Sequence, residues 1–334
     1  MSQPTAKIVR FHQSGGPEVL KLEELPLPEP GPGEVRLRVK AIGLNRAEVM
    51  FREDRYLVSP VFPSGIGYEA SGTVEAVGEG VDRALLGKTV STMPVFAIGK
   101  YGVYGEVAIV PVYAIAEYPA HLSPEEGTSI WMQYLTVWGA LIRIGQIAKG
   151  DHVLITAASS SVGIAAIEVV KAEGGISIAT TRTSAKKAEL IALGADHVIV
   201  TDEEDLVARV NEITGGKGAR IAFDPIAGKG LEALAEAAAE SGLIIEYGAL
   251  ATDATPYPLF AALSKQLTIR GYTLFEIAAN PEWLKQAQQY VFDHLANGDF
   301  KPQIDKKRFH LSEIVEAHRY MESNQQIGKI VVTV

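Results

Sequence analysis

The sequence predicts an α/β protein of two domains, one β-rich and barrel-like, the other a parallel sheet covered by helices on both faces. Three observations carry that expectation. The 334 residues exceed what one small core organises. The first third reads as short strands punctuated by Gly and Pro, whereas after Leu122 strands alternate with helices, the mark of repeated βαβ units. A hydrophobic fraction of 47% with 21% charged residues is that of an ordinary globular chain.

Taken in order, Val35–Ala41 alternates as a half-buried strand after the Pro/Gly-rich loop Pro26–Gly33. Gly65–Gly72 and Gly78–Gly80 bracket a further strand at Thr73–Val77. Ser123 caps a helix with Pro124 at its first position and Glu125 and Glu126 at its positive end. Strands are then expected at His152–Thr156, Ile176–Thr180, His197–Val200, Ile221–Phe223 and Leu243–Tyr247. Helices are expected at Val162–Ala172, Ala185–Leu193, Glu204–Ile213, Leu231–Ala239, Trp283–Asn297 and Leu311–Ser323. The β-branched run Lys329–Val334 is suited to a strand that returns to the first domain.

Composition narrows the function. A net charge of −9 disfavours nucleic acid and anionic membranes as partners. With no cysteine, disulfides, thiolate–metal sites and cysteine nucleophiles are excluded together. Met1–Arg10 lacks the apolar core of a secretory signal, and Val162–Val170 is too short to span a bilayer. A cytoplasmic enzyme is the expectation.

Strand His152–Thr156 runs into the small-residue turn Ala157–Gly163 and then a helix. Ser160, Ser161, Val162 and Gly163 there would present unpaired backbone N–H groups and positive potential to a phosphate. Serines replace the early glycines of the usual dinucleotide fingerprint, so the turn also reads as one that merely packs helix on strand. About 20 residues further on, where an NAD-preferring fold places an acid, stand Thr181 and Arg182, with Lys186 and Lys187 beyond. A guanidinium, ammonium groups and short hydroxyl donors suit a ribose 2′-phosphate, and hence NADPH. The two lysines equally suit a solvated helix face.

The chain resembles the medium-chain dehydrogenase/reductase superfamily, and within it the zinc-free quinone oxidoreductases related to zeta-crystallin. The resemblance rests on Pro17-Glu18-Val19-Leu20, Gly31-Pro32-Gly33-Glu34-Val35, Gly43-Leu44-Asn45-Arg46-Ala47-Glu48 and Gly65-Ile66-Gly67-Tyr68-Glu69-Ala70-Ser71-Gly72. It continues through Thr136-Val137-Trp138 and Leu193-Gly194-Ala195-Asp196 to Gly328-Lys329-Ile330-Val331. It implies a Rossmann-type doubly wound sheet over residues 125–274 and a GroES-like barrel domain over residues 1–124 and 275–334. Zinc members of the superfamily place a cysteine ligand at Asn45 and a histidine at Tyr68. Glu69 alone cannot hold zinc, and the seven histidines are scattered, so a metal-free enzyme is expected.

The resemblance also places Asn45 and Tyr56 beside the substrate, with Tyr68 close to them. Asn45 could donate a hydrogen bond to a carbonyl oxygen that becomes an oxyanion, and Tyr56 could donate one or relay a proton through water. The resemblance sets Thr136, Gly248, Ala249 and Thr273 along the nicotinamide side of the cofactor. Asn45 could instead hold a turn, and each tyrosine could be half-buried at a domain edge. A homodimer through the segment Leu267–Tyr272 is implied as well. The expected activity is zinc-independent, NADPH-dependent reduction of a quinone or enone. The alternatives are an enoyl-thioester reductase of the same superfamily, or a non-catalytic NADPH-binding crystallin-like or RNA-binding protein.

Overall fold

The computed structural model describes residues 4–334, and the chain forms two compact units. One runs to Met132 and takes up the chain again from Pro302 to Val334; the other holds Gln133–Lys301.

The centre of the first unit is strand Glu34–Gly43, longer at both ends than the alternation suggests. Val35, Leu37 and Ala41 are fully buried, so its inward face is the core side. It pairs antiparallel with Glu69–Val77, with Val107–Pro111 and with the C-terminal strand Val331–Thr333, which does return to this unit. Thr89–Thr92, Ile115–Ala116 and Phe309–His310 complete a seven-stranded sheet. Gly72 permits the central pairing: a Cβ there would stand 2.1 Å from the Arg38 carbonyl oxygen. Thr5–Arg10 and Lys21–Pro26 form a separate antiparallel pair.

The second unit is built on six parallel strands. Their order is His197–Val200, Ile176–Thr181, His152–Ile155, Ala219–Asp224, Ala238–Glu246 and Thr268–Gly271. The order reverses between His152–Ile155 and Ala219–Asp224, which is the switch point of a doubly wound sheet. Leu154, Ile178, Ile199, Ala222 and Ile244 are at most 1% exposed, as strands covered on both faces must be.

The boundaries differ from the sequence expectation for physical reasons. Pro124–Trp131 stays with the first unit, where Ser71 Oγ donates to the Pro124 carbonyl (2.5 Å) and Trp131 Nε1 to Ser91 Oγ (2.8 Å). Helix Pro281–Asn297 stays with the second. There Arg143 lies 4.2 Å over the Trp283 ring, and the Tyr290 hydroxyl donates to Glu173 (2.8 Å). The chain therefore returns at Lys301–Pro302, not after residue 274. The helix expected at Ala185–Leu193 is a 3₁₀ turn, Ser184–Lys186, leading into helix Lys187–Ala192. Leu311–Glu313 is likewise a 3₁₀ turn before helix Ile314–Glu322.

Candidate active site

In the first unit, Asn45 stands between strand Glu34–Gly43 and helix Arg46–Arg52, and caps that helix. Its backbone N–H donates to Glu48 Oε2 (2.7 Å), the reciprocal half of a capping box. Glu48 is fully buried and also accepts from the Tyr68 backbone N–H (2.9 Å) and the Tyr104 hydroxyl (2.5 Å). Burial pushes its carboxyl above the usual range, and these donors pull against that.

The chain of contacts continues inward. Tyr104 lies 3.3 Å from His318 Nε2, and His318 Nδ1 lies 2.9 Å from Arg52 Nη1. A guanidinium only donates, so Nδ1 accepts and the ring hydrogen sits on Nε2, facing the Tyr104 oxygen. Burial, reinforced by Arg52, pushes the His318 pKa down to about 3, so the ring is neutral. Arg52 is itself anchored to the Gly15 carbonyl (2.9 Å) and to Glu322 (2.8 Å). The hydrogen bonds thus run in one direction, from Arg52 to Glu48, and fix where Asn45 and Tyr68 begin.

Tyr68 is 1% exposed and packs against Phe96, ring centroids 5.6 Å apart. Half-buried Tyr56 lies close enough to Tyr68 for each phenol to shift the other's pKa. Burial raises both phenol pKa values, so each keeps its proton at neutral pH. Glu48 thus joins Asn45 and Tyr68 through their backbone N–H groups, and Tyr56 stands beside Tyr68. Behind these residues, the Lys329 ammonium donates to Glu69 Oε2 (2.5 Å) and to Asn45 Oδ1 (2.6 Å). Both Lys329 and Glu69 side chains are 0% exposed.

In the second unit, strand His152–Ile155 turns sharply through Ala157, whose φ is +46°. Ser160 caps helix Ser161–Ala172 by accepting from the Gly163 N–H (3.0 Å). A Cβ on Gly163 would stand 2.6 Å from Ala158 Cα, so the turn requires glycine there. Ser160, Ser161 and Val162 are partly exposed at this helix start, as a phosphate cradle needs. Lys186 reaches back to Ser159 Oγ (3.1 Å), while Lys187 turns towards Glu204 (3.5 Å). Thr181 ends its strand, and Arg182 is exposed, with no hydrogen bond or ion pair from its guanidinium among the described residues.

Gly248 presses on the loop after Ala219–Asp224: a Cβ would meet the Pro225 carbonyl oxygen at 2.7 Å. Exposed Ala249 follows it, and exposed Thr273 follows edge strand Thr268–Gly271, both beyond the carboxyl ends of their strands. Thr136 is 6% exposed on helix Trp131–Val137.

Family models match two stretches of the chain: an alcohol dehydrogenase GroES-like domain over residues 31–120, and a zinc-binding dehydrogenase over residues 193–332. A quinone oxidoreductase of Pseudomonas aeruginosa is 31% identical across 98% of this chain and 99% of its own length. That similarity decides the family. The chain belongs to the zinc-free quinone oxidoreductases of the medium-chain dehydrogenase/reductase superfamily. A 2-haloacrylate reductase of a Burkholderia species is 29% identical across 96% of this chain and 97% of its own. The structure of Escherichia coli quinone oxidoreductase complexed with NADPH superposes with a TM-score of 0.91 at 30% identity, covering 98% of this chain and 100% of that one.

A zinc ion does not fit the site described here. Asn45 and Tyr68 offer an amide and a protonated phenol, neither of them a usual zinc ligand. Glu69 Oε2 already holds the Lys329 ammonium, a competing cation.

Sequence reasoning missed Glu48, Arg52, Tyr104, His318 and Lys329, because contacts such as Lys329 to Asn45 span up to 284 residues. It also missed Asp224 and Glu246, at the ends of adjacent strands. Asp224 accepts from the Thr156 hydroxyl and from the Ala227 N–H (2.6 Å). Burial, with Asp224 facing it, holds the Glu246 carboxyl well above the usual carboxylate range. An acid closing an apolar strand was the available signal.

Proposed function

We propose that this quinone oxidoreductase binds NADPH and reduces quinones or other α,β-unsaturated carbonyls without a metal. The observation that carries the reading is the neighbouring pair of protonated phenols, Tyr56 and Tyr68, with the Tyr68 and Asn45 backbone N–H groups both held on buried Glu48. When bound, NADPH supplies a hydride. The protein must then stabilise the oxygen on which negative charge develops, and fixed donors in a buried site do so with little reorganisation. Tyr56, the more exposed phenol, donates to that oxygen, and Tyr68 behind it holds Tyr56 in place and relays the proton. Asn45 donates a second hydrogen bond from its amide.

Ser160–Gly163 would hold the pyrophosphate, and Arg182, Lys186 and Thr181 the 2′-phosphate, with Lys187 as a weaker contributor because of Glu204. Thr136, Gly248, Ala249 and Thr273 would line the nicotinamide. The names of the relatives support the reading: quinones and 2-haloacrylate share a double bond conjugated to an electron-withdrawing carbonyl or carboxylate group.

The test is a steady-state screen of quinones, enones, aldehydes and acyl thioesters with NADPH and NADH. Turnover of quinones or free enones with NADPH is expected. Activity confined to acyl thioesters would favour an enoyl-thioester reductase, and tight NADPH binding with no turnover would favour a binding protein.

A further inference from the structure

Two fully buried carboxylates, Glu48 and Glu69, flank the Asn45 amide. An oxyanion forming beside that amide would face both negative charges. Glu48 is satisfied by two backbone N–H groups and the Tyr104 hydroxyl. Glu69 accepts the Met132 N–H on Oε1 (2.8 Å) and takes its countercharge from Lys329 on Oε2 (2.5 Å).

The same ammonium decides which way Asn45 faces. Its bond to Asn45 Oδ1 is 2.6 Å, the shortest the amide makes. On the other side, Nδ2 meets the Gly43 carbonyl, Glu48 Oε1 and Glu69 Oε2 at 3.3, 3.3 and 3.2 Å. Three acceptors share two hydrogens at the long end of the hydrogen-bond range, so none holds the amide firmly. Orientation rests on Lys329, and a hydrogen bond from Nδ2 can be redirected to a stronger acceptor.

We infer that Lys329 is a positioning residue for the reduction: it orients the Asn45 amide towards the acceptor oxygen and cancels the charge of Glu69 behind it. This rests on the role proposed above for Asn45. Fold stability alone is a weak reason for such a pair, because a buried ion pair gains little over apolar residues of the same volume. The neighbouring strand Val331–Thr333 is already held by its pairing with Glu34–Gly43.

The experiment compares kcat, the KM for NADPH and Tm in the unaltered enzyme, in Lys329→Met, in Lys329→Arg and in Glu69→Gln/Lys329→Met. Lys329→Met should lower kcat with an enone or quinone by about 10- to 100-fold, the worth of a hydrogen bond to a charged group, and lower Tm by stranding Glu69. Lys329→Arg should recover part of kcat. The double variant removes the stranded charge and should recover Tm, yet leave kcat low, because Asn45 Oδ1 has lost its donor. The KM for NADPH should stay constant throughout. Recovery of kcat in step with Tm in the double variant would overturn the assignment and leave the proposed function standing. An unaltered enzyme inactive on every quinone and enone would overturn both.

Discussion

Arg182 stands exposed just past the end of its strand with an uncommitted guanidinium, while Lys186 is already turned into the Ala157–Gly163 turn through Ser159. That division makes Arg182 the residue most free to read a 2′-phosphate. Arg182→Ala should raise the KM for NADPH about 10- to 100-fold, the loss of a charged hydrogen bond, and change the KM for NADH little. Equal effects on both cofactors would remove Arg182 from phosphate recognition. Glu168 offers a second measurement at this scale. It accepts from the Tyr134 hydroxyl (2.6 Å) and the Lys301 N–H (3.1 Å), the first near one chain crossing and the second at the other. Burial raises its pKa from an ordinary 4.5 to about 7, against those hydrogen bonds and the charges of Lys301 and Lys171. A carboxyl raised in this way contributes stability that is fully present below about pH 4.5 and lost as pH rises through about 7. Glu168→Gln should therefore flatten the fall in Tm between pH 5 and pH 8, at about 2–4 °C per kcal/mol for a unit the size of Gln133–Lys301. An unchanged slope would show that Glu168 does not titrate there.

At the scale of the element, strand Thr268–Gly271 closes one edge of the parallel sheet, and the helix before it is unusually apolar outside. Leu259, Phe260 and Leu263 on helix Leu259–Lys265, with Tyr257 ahead of it, are 50–83% exposed. Contiguous apolar surface beside an open strand edge is what a self-complementary interface covers, and we propose that a second copy of the chain covers it. The variant Phe260→Glu/Leu263→Glu should shift sedimentation equilibrium from a dimer mass to a monomer mass while leaving far-UV circular dichroism unchanged. A monomeric parent would dispose of the proposal. Elements were also what the sequence showed most clearly. Alternation located Val35–Ala41 within strand Glu34–Gly43, and the cap Ser123 located a helix start, because those signals act within a turn or two. The 3₁₀ turn at Ser184–Lys186 was not legible, since nothing in Ser-Ala-Lys forbids an α-helix.

Across the whole molecule, legibility followed sequence separation. Asn45, Tyr68 and the Ala157–Gly163 turn were visible because each lies in a local motif. The Arg52–His318–Tyr104–Glu48 chain and the Lys329–Glu69 pair were not, because they join the first third of the sequence to its last forty residues. The return crossing at Lys301–Pro302 escaped for the same reason: only packing by Trp283 and Tyr290 assigns helix Pro281–Asn297 to the second unit. The site we propose stabilises an oxyanion with phenols and an amide, with a lysine ammonium as its fixed cation. The most direct test of that account is the initial rate of NADPH oxidation with a quinone or enone after exhaustive dialysis against a strong chelator, compared with the same enzyme supplied with Zn²⁺. The account predicts equal rates. Loss of activity on dialysis and its return with Zn²⁺ would contradict it.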